Sequence, residues 1–317
     1  FYDGWLGIGR QGLVFLKWLM GLLDYNPYFA GLLALLFFLL SCTGFVFLFE
    51  WIAKRQGDAV EKPAWRYMSL GFSMIVITHP IMTEQLYFSL QGAEVTFSLL
   101  LLSAGLLFSY RWAQGEGRGW FLPAVVLLLP VFSCYQAMVP LCLFGMVAMS
   151  CIRYMGLEHT NENKGRQYPL RLATVFLCAF LFNQWITRLF FSKSAYLDGQ
   201  VTWEIDKIGK GIRQIWSHVR DVVLGVGIFY PDPFFWLALG LLLLSFFSLL
   251  GKSIRQMPRW MRSKVWVVRI FLLLYLLASP FFLTVLLGER PVIRGQLTLP
   301  FTMGFVAYLC GVLLCRE

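Results

Sequence analysis

The chain has 317 residues, of which 58% are hydrophobic, 17% aromatic and only 14% charged, against roughly a quarter charged in an average soluble chain. So much apolar surface does not fit inside a soluble core, which excludes a soluble enzyme, a disordered chain and a nucleic-acid-binding module. The net charge of +10 therefore reads as loop asymmetry around a bilayer, and the fold class expected is all-α, a polytopic membrane bundle.

The first segment, residues 1–27, reads as an outward loop carrying an interfacial helix. Gly7-Ile8-Gly9-Arg10-Gln11-Gly12 matches a dinucleotide fingerprint as a string, but that motif needs a preceding strand and a βαβ unit, so it is a false match. From Arg10 to Leu23 the pattern is helical and apolar. Arg10, Lys17 and Asp24 recur every seven residues, each step turning only about 20°, so the stripe is expected to face water. Asp3 lies just ahead, either one of the solvated charges of a membrane-anchoring loop or a carboxylate held at the lipid surface beside a cation.

About nine spans of suitable apolarity follow: Tyr28–Glu50, Trp65–His79, Gly92–Tyr110, Trp120–Cys134, Ala137–Ile152, Leu172–Phe190, Phe234–Leu250, Val265–Leu287 and Leu299–Cys315. Lys54, Arg55, Lys62, Arg66, Arg111, Arg118, Arg153, Lys164, Arg166, Arg171 and the cluster from Lys252 to Arg269 share one set of loops. The positive-inside rule places that set in the cytoplasm. Asp3, Asp24, Glu84, Glu94, Asp221, Asp232 and Glu289 fall on the opposite, outward side. A further crossing is expected upstream of Phe1, and a continuation beyond Glu317.

Between the second and third spans the outward loop runs from His79 to Glu94. If it is helical after Pro80, Glu84, Tyr87, Gln91 and Glu94 share a face of roughly 80°. Glu94 opens an apolar span, where an ionisable group is expensive and functional by default. Its bland alternative is a snorkelling or structurally paired carboxylate. Tyr135-Gln136 sits at the same level between two spans, as a site or as a capped turn.

The outward loop 191–233 contains a second amphipathic helix. Trp203, Ile205, Ile208, Ile212, Ile215, Trp216, Val219 and Val222 keep 3–4 spacing, with Lys207, Lys210, Arg213 and Arg220 on the other side. Such a helix rides on anionic headgroups or guides a lipid phosphate. In the last outward loop, Glu289-Arg290-Pro291-Val292-Ile293-Arg294 supplies two guanidinium forks suited to phosphate. The histidines (79, 159, 218) lack metal-ligand spacing. No resident cofactor is read from the sequence, with a divalent cation left open.

Carboxylates and arginines gathered on one membrane face suit an enzyme whose substrate is a lipid-phosphate-linked sugar. A carboxylate would deprotonate the acceptor hydroxyl, and arginines would steady the phosphate leaving group. The order Tyr2-Asp3-Gly4…Gly9-Arg10-x-Gly12, Asn26-Pro27, Glu84…Phe88-x-x-Gln91-x-x-Glu94, Tyr135-Gln136 and Arg290…Arg294 resembles the bacterial type II O-antigen glucosyltransferases, within the membrane-embedded GT-C glycosyltransferases. The resemblance covers nearly the whole chain. It implies inverting transfer of glucose from a polyprenyl-phosphate donor to a surface polysaccharide, modifying lipopolysaccharide on the periplasmic side of the inner membrane. It also implies an acidic base in the first outward loop, where Asp3 is the matching position. Further acidic residues are expected upstream of Phe1. Glu84 and Glu94 are then acceptor-binding groups or alternative bases. Arg10, Arg290 and Arg294 are donor-phosphate ligands, and Tyr87, Gln91, Tyr135 and Gln136 line the substrate. The rival readings are a flippase or other transporter of lipid-linked saccharides, which predicts charges at mid-membrane depth, and a non-catalytic scaffold.

Overall fold

The computed structural model describes residues 2–56, 63–155, 162–190, 203, 208–250 and 259–316. The expected positions Ile205 and Lys207 lie outside them. Every regular element among the described residues is helical, as expected where lipid offers the backbone no hydrogen-bond partner. In chain order they are α1 (Tyr2–Gly7), α2 (Gln11–Leu19), α3 (Pro27–Arg55), α4 (Pro63–Thr78), α5 (Pro80–Tyr87), α6 (Gly92–Ala113), α7 (Phe121–Cys134), α8 (Met138–Met155), α9 (Glu162–Phe190), α10 (Ile208–Val223), α11 (Pro233–Leu250), α12 (Arg259–Ala278), α13 (Phe282–Leu287) and α14 (Thr298–Arg316). Short 3-10 turns occupy Arg118–Trp120, Ser279–Phe281 and Ile293–Gly295.

Among the described residues, four helical stretches are long and apolar enough to cross a membrane: Pro27–Arg55, Gly92–Ala113, Gln167–Phe190 and Trp266–Leu287. Arg118–Cys134, Met138–Tyr154, Pro233–Phe247 and Thr298–Leu314 are apolar but shorter. The second expected span corresponds to α4, whose 16 residues fall below the ~20 of an untilted crossing.

The chain divides into two compact units. The first comprises Phe1–Leu48, Glu84–Cys142 and His159–Thr202, with α2, α6, α7 and α9 packed together. Its core follows helical spacing: Leu99, Leu102, Leu106 and Tyr110 on α6, and Tyr168, Leu172, Val175 and Ala179 on α9, all buried. Equally apolar residues on other faces, such as Leu122, Val126, Leu170 and Leu181, are exposed. In lipid the hydrophobic effect does not choose between these faces. Shape and close approach do. Gly12 brings α2 against α7, where an added Cβ would stand 2.9 Å from the Cys134 nitrogen and nearer still to the Pro130 carbonyl.

The second unit comprises Phe49–Thr83, Leu143–Glu158 and Trp203–Glu317. Its centre is aromatic: Phe49 meets Phe305 at 4.9 Å and Phe72 at 5.4 Å between ring centroids, and Phe144 meets Phe305 edge-on at 6.0 Å. Each such pair contributes about 0.5–1.5 kcal/mol beyond its area. α10 ends in a Schellman turn, with Val226 N–H donating to the Asp221 carbonyl at 2.8 Å. The turn requires the left-handed Gly225 (φ 64°).

Candidate active site

In the first unit, α2 and its N-cap residue Arg10 supply two cations that meet the start of α6. Arg10 donates to Gln91 Oε1 at 2.9 Å. Its guanidinium carbon stands 5.2 Å from the Trp5 ring centroid and 5.0 Å from that of Tyr135. Three expected site residues from distant segments, Arg10, Gln91 and Tyr135, are thus brought together. Deeper along α2, Lys17 Nζ donates to Glu94 Oε1 at 2.6 Å, with side chains only 3% and 1% exposed. The water-facing stripe expected from Arg10, Lys17 and Asp24 is corrected accordingly: Asp24 is exposed, but Lys17 points into the protein. The buried carboxylate of Glu94 needs a counter-charge, because an unpaired one costs several kcal/mol. Gln11 completes the docking of α2, donating to Thr187 Oγ1 at 2.7 Å and Asn183 Oδ1 at 3.2 Å on α9. Gln11, Asn183 and Thr187 were not singled out in the sequence. The signal was there, since Asn183 interrupts an apolar span.

At the start of α6, Gln91 and Glu94 each keep one polar atom unsatisfied. Gln91 Nε2 and Glu94 Oε2 are buried with no hydrogen-bond partner among the described residues. Gln91 is the N-cap of α6 and Glu94 lies in its first turn. Gln91 Nε2 is a donor and Glu94 Oε2 an acceptor. Together they have the donor and acceptor character that a hydroxyl group complements.

The remaining expected residues of this unit do not join the cluster. α5 stops at Tyr87 and the chain turns through Phe88–Gln91, with Ser89 N–H bonded to the Tyr87 carbonyl and Gln91 N–H to that of Phe88. The single helical face expected for Glu84, Tyr87, Gln91 and Glu94 is therefore broken. Glu84 is half-buried, Tyr87 is 88% exposed and Gln136 is exposed. Asp3 is exposed in the first turn of α1. The side chains of Asp3, Glu84, Tyr87 and Gln136 make no hydrogen bond or ion pair with described residues. Beside the cluster runs an apolar groove of about 930 Å³, walled by Leu16, Phe97, Leu101, Leu127 and Ile186, with Gln11 and Asn183 at its margin.

The second unit holds a separate polar network. Arg290 donates from one terminal nitrogen to Asp221 Oδ2 and from the other to Tyr230 Oη, both at 2.9 Å. Arg220 donates to Asp221 Oδ1 at 3.0 and 3.2 Å. Burial pushes the Asp221 carboxyl up, but the hydrogen bonds and charges of Arg220 and Arg290 together outweigh it and hold it below its ordinary value. Tyr230 Oη lies 2.9 Å from Gln296 Oε1. His218 Nε2 lies 3.0 Å from the same oxygen, and His218 Nδ1 lies 2.7 Å from Thr284 Oγ1. Burial pulls the His218 pKa down to about 4. Arg294, the other expected phosphate ligand, is half-buried in the 3-10 turn Ile293–Gly295. Asp221, Tyr230 and Gln296 had not been singled out as site residues. Among the described residues no three of His, Cys, Asp or Glu gather as metal ligands.

Described elements that are all helical, several long and apolar enough to cross a membrane, with polar clusters at helix ends, are those of a membrane protein. Within that class the chain belongs to the glucosyl transferase GtrII family, whose family model matches residues 1–310. It is accordingly a glycosyltransferase, in agreement with the resemblance carried by its short motifs. No curated protein and no solved structure matches the chain.

Proposed function

We propose that the protein moves glucose, with inversion, from polyprenyl phosphate to a surface polysaccharide of the O-antigen kind, at the periplasmic face of a bacterial inner membrane crossed about nine times. The observation that carries this reading is the buried donor–acceptor pair of Gln91 Nε2 and Glu94 Oε2. It has the hydrogen-bonding complement of a sugar hydroxyl and is held in place from behind by Arg10 and Lys17. Glu94 and Gln91 bind the acceptor. Asp3 stands outside that cluster, exposed at the start of α1; on the family resemblance it is the general base that takes the acceptor proton. In the second unit, Arg290 and Arg294 are ligands for the donor phosphate. The apolar groove beside α2 suits the hydrocarbon part of a lipid donor.

The sidedness has support within the first unit alone. α6 has 22 residues, a rise of roughly 33 Å, enough for a hydrocarbon core of about 30 Å. Glu94 lies at its start and Arg111 at its end, where Arg118 and Arg171 line a cleft. The positive-inside rule gives the arginine end to the cytoplasm and the Glu94 end to the periplasm.

The test uses membranes given radiolabelled polyprenyl-phosphate glucose, scoring label on polysaccharide separately from label merely carried across. Asp3→Asn is expected to lower the transfer rate by about 10²–10⁴-fold. Glu94→Gln is expected to weaken acceptor binding. Full transfer by Asp3→Asn would remove Asp3 as the base, and label that crosses without transfer would favour a transporter.

A further inference from the structure

Within the second unit, the hydrogen-bond partners fix where the protons sit. Gln296 donates from Nε2 to the Pro291 carbonyl at 3.0 Å, which turns its Oε1 toward His218 and Tyr230. An oxygen acceptor 3.0 Å from His218 Nε2 requires the hydrogen on that nitrogen. In the neutral ring Nδ1 then carries the lone pair, and the Thr284 hydroxyl donates to it at 2.7 Å. The charged groups facing the ring are Arg290 and Asp221, whose effects oppose each other, and burial keeps the ring neutral down to about pH 4. Tyr230 likewise gives its proton to Gln296 Oε1, which leaves its oxygen free to accept from Arg290 at 2.9 Å. The bonds from Arg290 to Tyr230 to Gln296 therefore run in one direction, and His218 holds the shared acceptor from the other side.

Arg290 receives a two-point hold. One terminal nitrogen is fixed by Asp221 and the other by Tyr230, and the guanidinium stands 5.2 Å from the Tyr230 ring centroid. Asp221 is shared with Arg220, so the triad keeps one net positive charge. The other N–H groups of Arg290 have no described acceptor, and its side chain is 33% exposed.

We propose that His218, Gln296 and Tyr230 are positioning residues that hold the Arg290 guanidinium in the single orientation in which its free N–H edge receives the donor phosphate. This rests on the reading of Arg290 as a donor-phosphate ligand. A fork fixed in advance spends less rotamer entropy on each bond it forms with phosphate.

The experiment varies polyprenyl-phosphate glucose and acceptor separately, using the full chain in liposomes. Tyr230→Phe keeps the ring and deletes only the linking hydroxyl, and it is expected to raise the donor KM about tenfold, with kcat and acceptor KM unchanged. His218→Leu should do the same. His218→Gln, which restores a donor near the Nε2 position, should return the donor KM to within about threefold of the parent. Arg290→Gln should raise the donor KM by more than Tyr230→Phe does, and adding Tyr230→Phe to it should change nothing further. An unchanged donor KM in Arg290→Gln would remove the phosphate reading itself. If Arg290→Gln raises it while Tyr230→Phe leaves it unmoved, or adds its full effect in that background, the positioning role is overturned. An equal loss in kcat and acceptor KM would mark a general structural role and overturn it too.

Discussion

Lys17→Met should show what the buried ion pair of the first unit contributes. The substitution keeps the length and apolar character of the stem but leaves Glu94 as an unpaired carboxylate, 1% exposed. At 2.6 Å and an effective dielectric constant of about 20, the lost attraction is about 6 kcal/mol. Part of it was already spent on desolvating both charges, so the expected destabilisation is about 3–5 kcal/mol. Glu94→Gln alone should cost a similar amount by stranding the ammonium. In the double substitution Lys17→Met/Glu94→Gln no charge is buried, and its cost should fall below the sum of the singles by about 2 kcal/mol or more. The assay is unfolding of the detergent-solubilised protein, completed as a double-mutant cycle, with glucosyl transfer measured on the same samples. The double variant should regain stability while acceptor binding stays weakened, because a neutral amide replaces the charged acceptor of Glu94. Costs that add to within about 0.5 kcal/mol would show that the pair is not coupled, and the account of Lys17 as the counter-charge would be wrong.

Gly12→Ala should loosen α2, because its Cβ would meet the backbone of Pro130 and Cys134, which cannot rotate away; a loss of about 1–3 kcal/mol is expected in the same unfolding assay, and an unchanged midpoint would contradict the close approach. His218 should make stability depend on pH. With its folded pKa lowered from 6.5 to about 4, the unfolded chain binds more protons in that window, so the contribution is complete above about pH 6.5 and falls by about 3 kcal/mol as pH drops toward 4. The low-lying Asp221 carboxyl acts in the same direction at still lower pH. Comparing melting midpoints at pH 7 and 4.5 in the parent and in His218→Gln isolates the histidine, and an equal drop in both would refute the assignment.

The helical class and most of the apolar segments were legible in the sequence, because each rests on composition or on local order along the chain; the meeting of Arg10 with Gln91 and Tyr135, far apart in sequence, was not. Nor was the partner of Glu94. Periodicity grouped Lys17 with Arg10 and Asp24 on one face, but a helical wheel does not say whether that face meets water or another helix. The break between α5 and α6 was also missed, although Ser89 and Gly92 are weak helix formers, because a continuous helix would have aligned four polar residues attractively. In α10 the apolar stripe was read correctly, yet Ile212 and Trp216 are exposed while His218 and Asp221 are buried. Beside a bilayer a greasy residue is free to meet lipid, while His218 and Asp221 pack on protein beside Val222; Lys210, Arg213 and Arg220 stay exposed.

That inversion bears on how the candidate site is built. Lipid tails are as apolar as leucine, so an apolar face gains little by choosing protein over bilayer. The orientation of a short helix such as α2 or α10 must then come from polar bonds: Arg10 to Gln91, Lys17 to Glu94 and Gln11 to Thr187 for one, and His218 to Gln296 and Asp221 to Arg290 for the other. These include the groups proposed to meet sugar and phosphate. A carboxylate or guanidinium here serves packing with one atom and offers the next, as Glu94 does with Oε1 and Oε2. Loss of activity on deleting such a side chain therefore cannot separate chemistry from assembly. Isosteric changes at the partner, read against stability and against one substrate at a time, can do so.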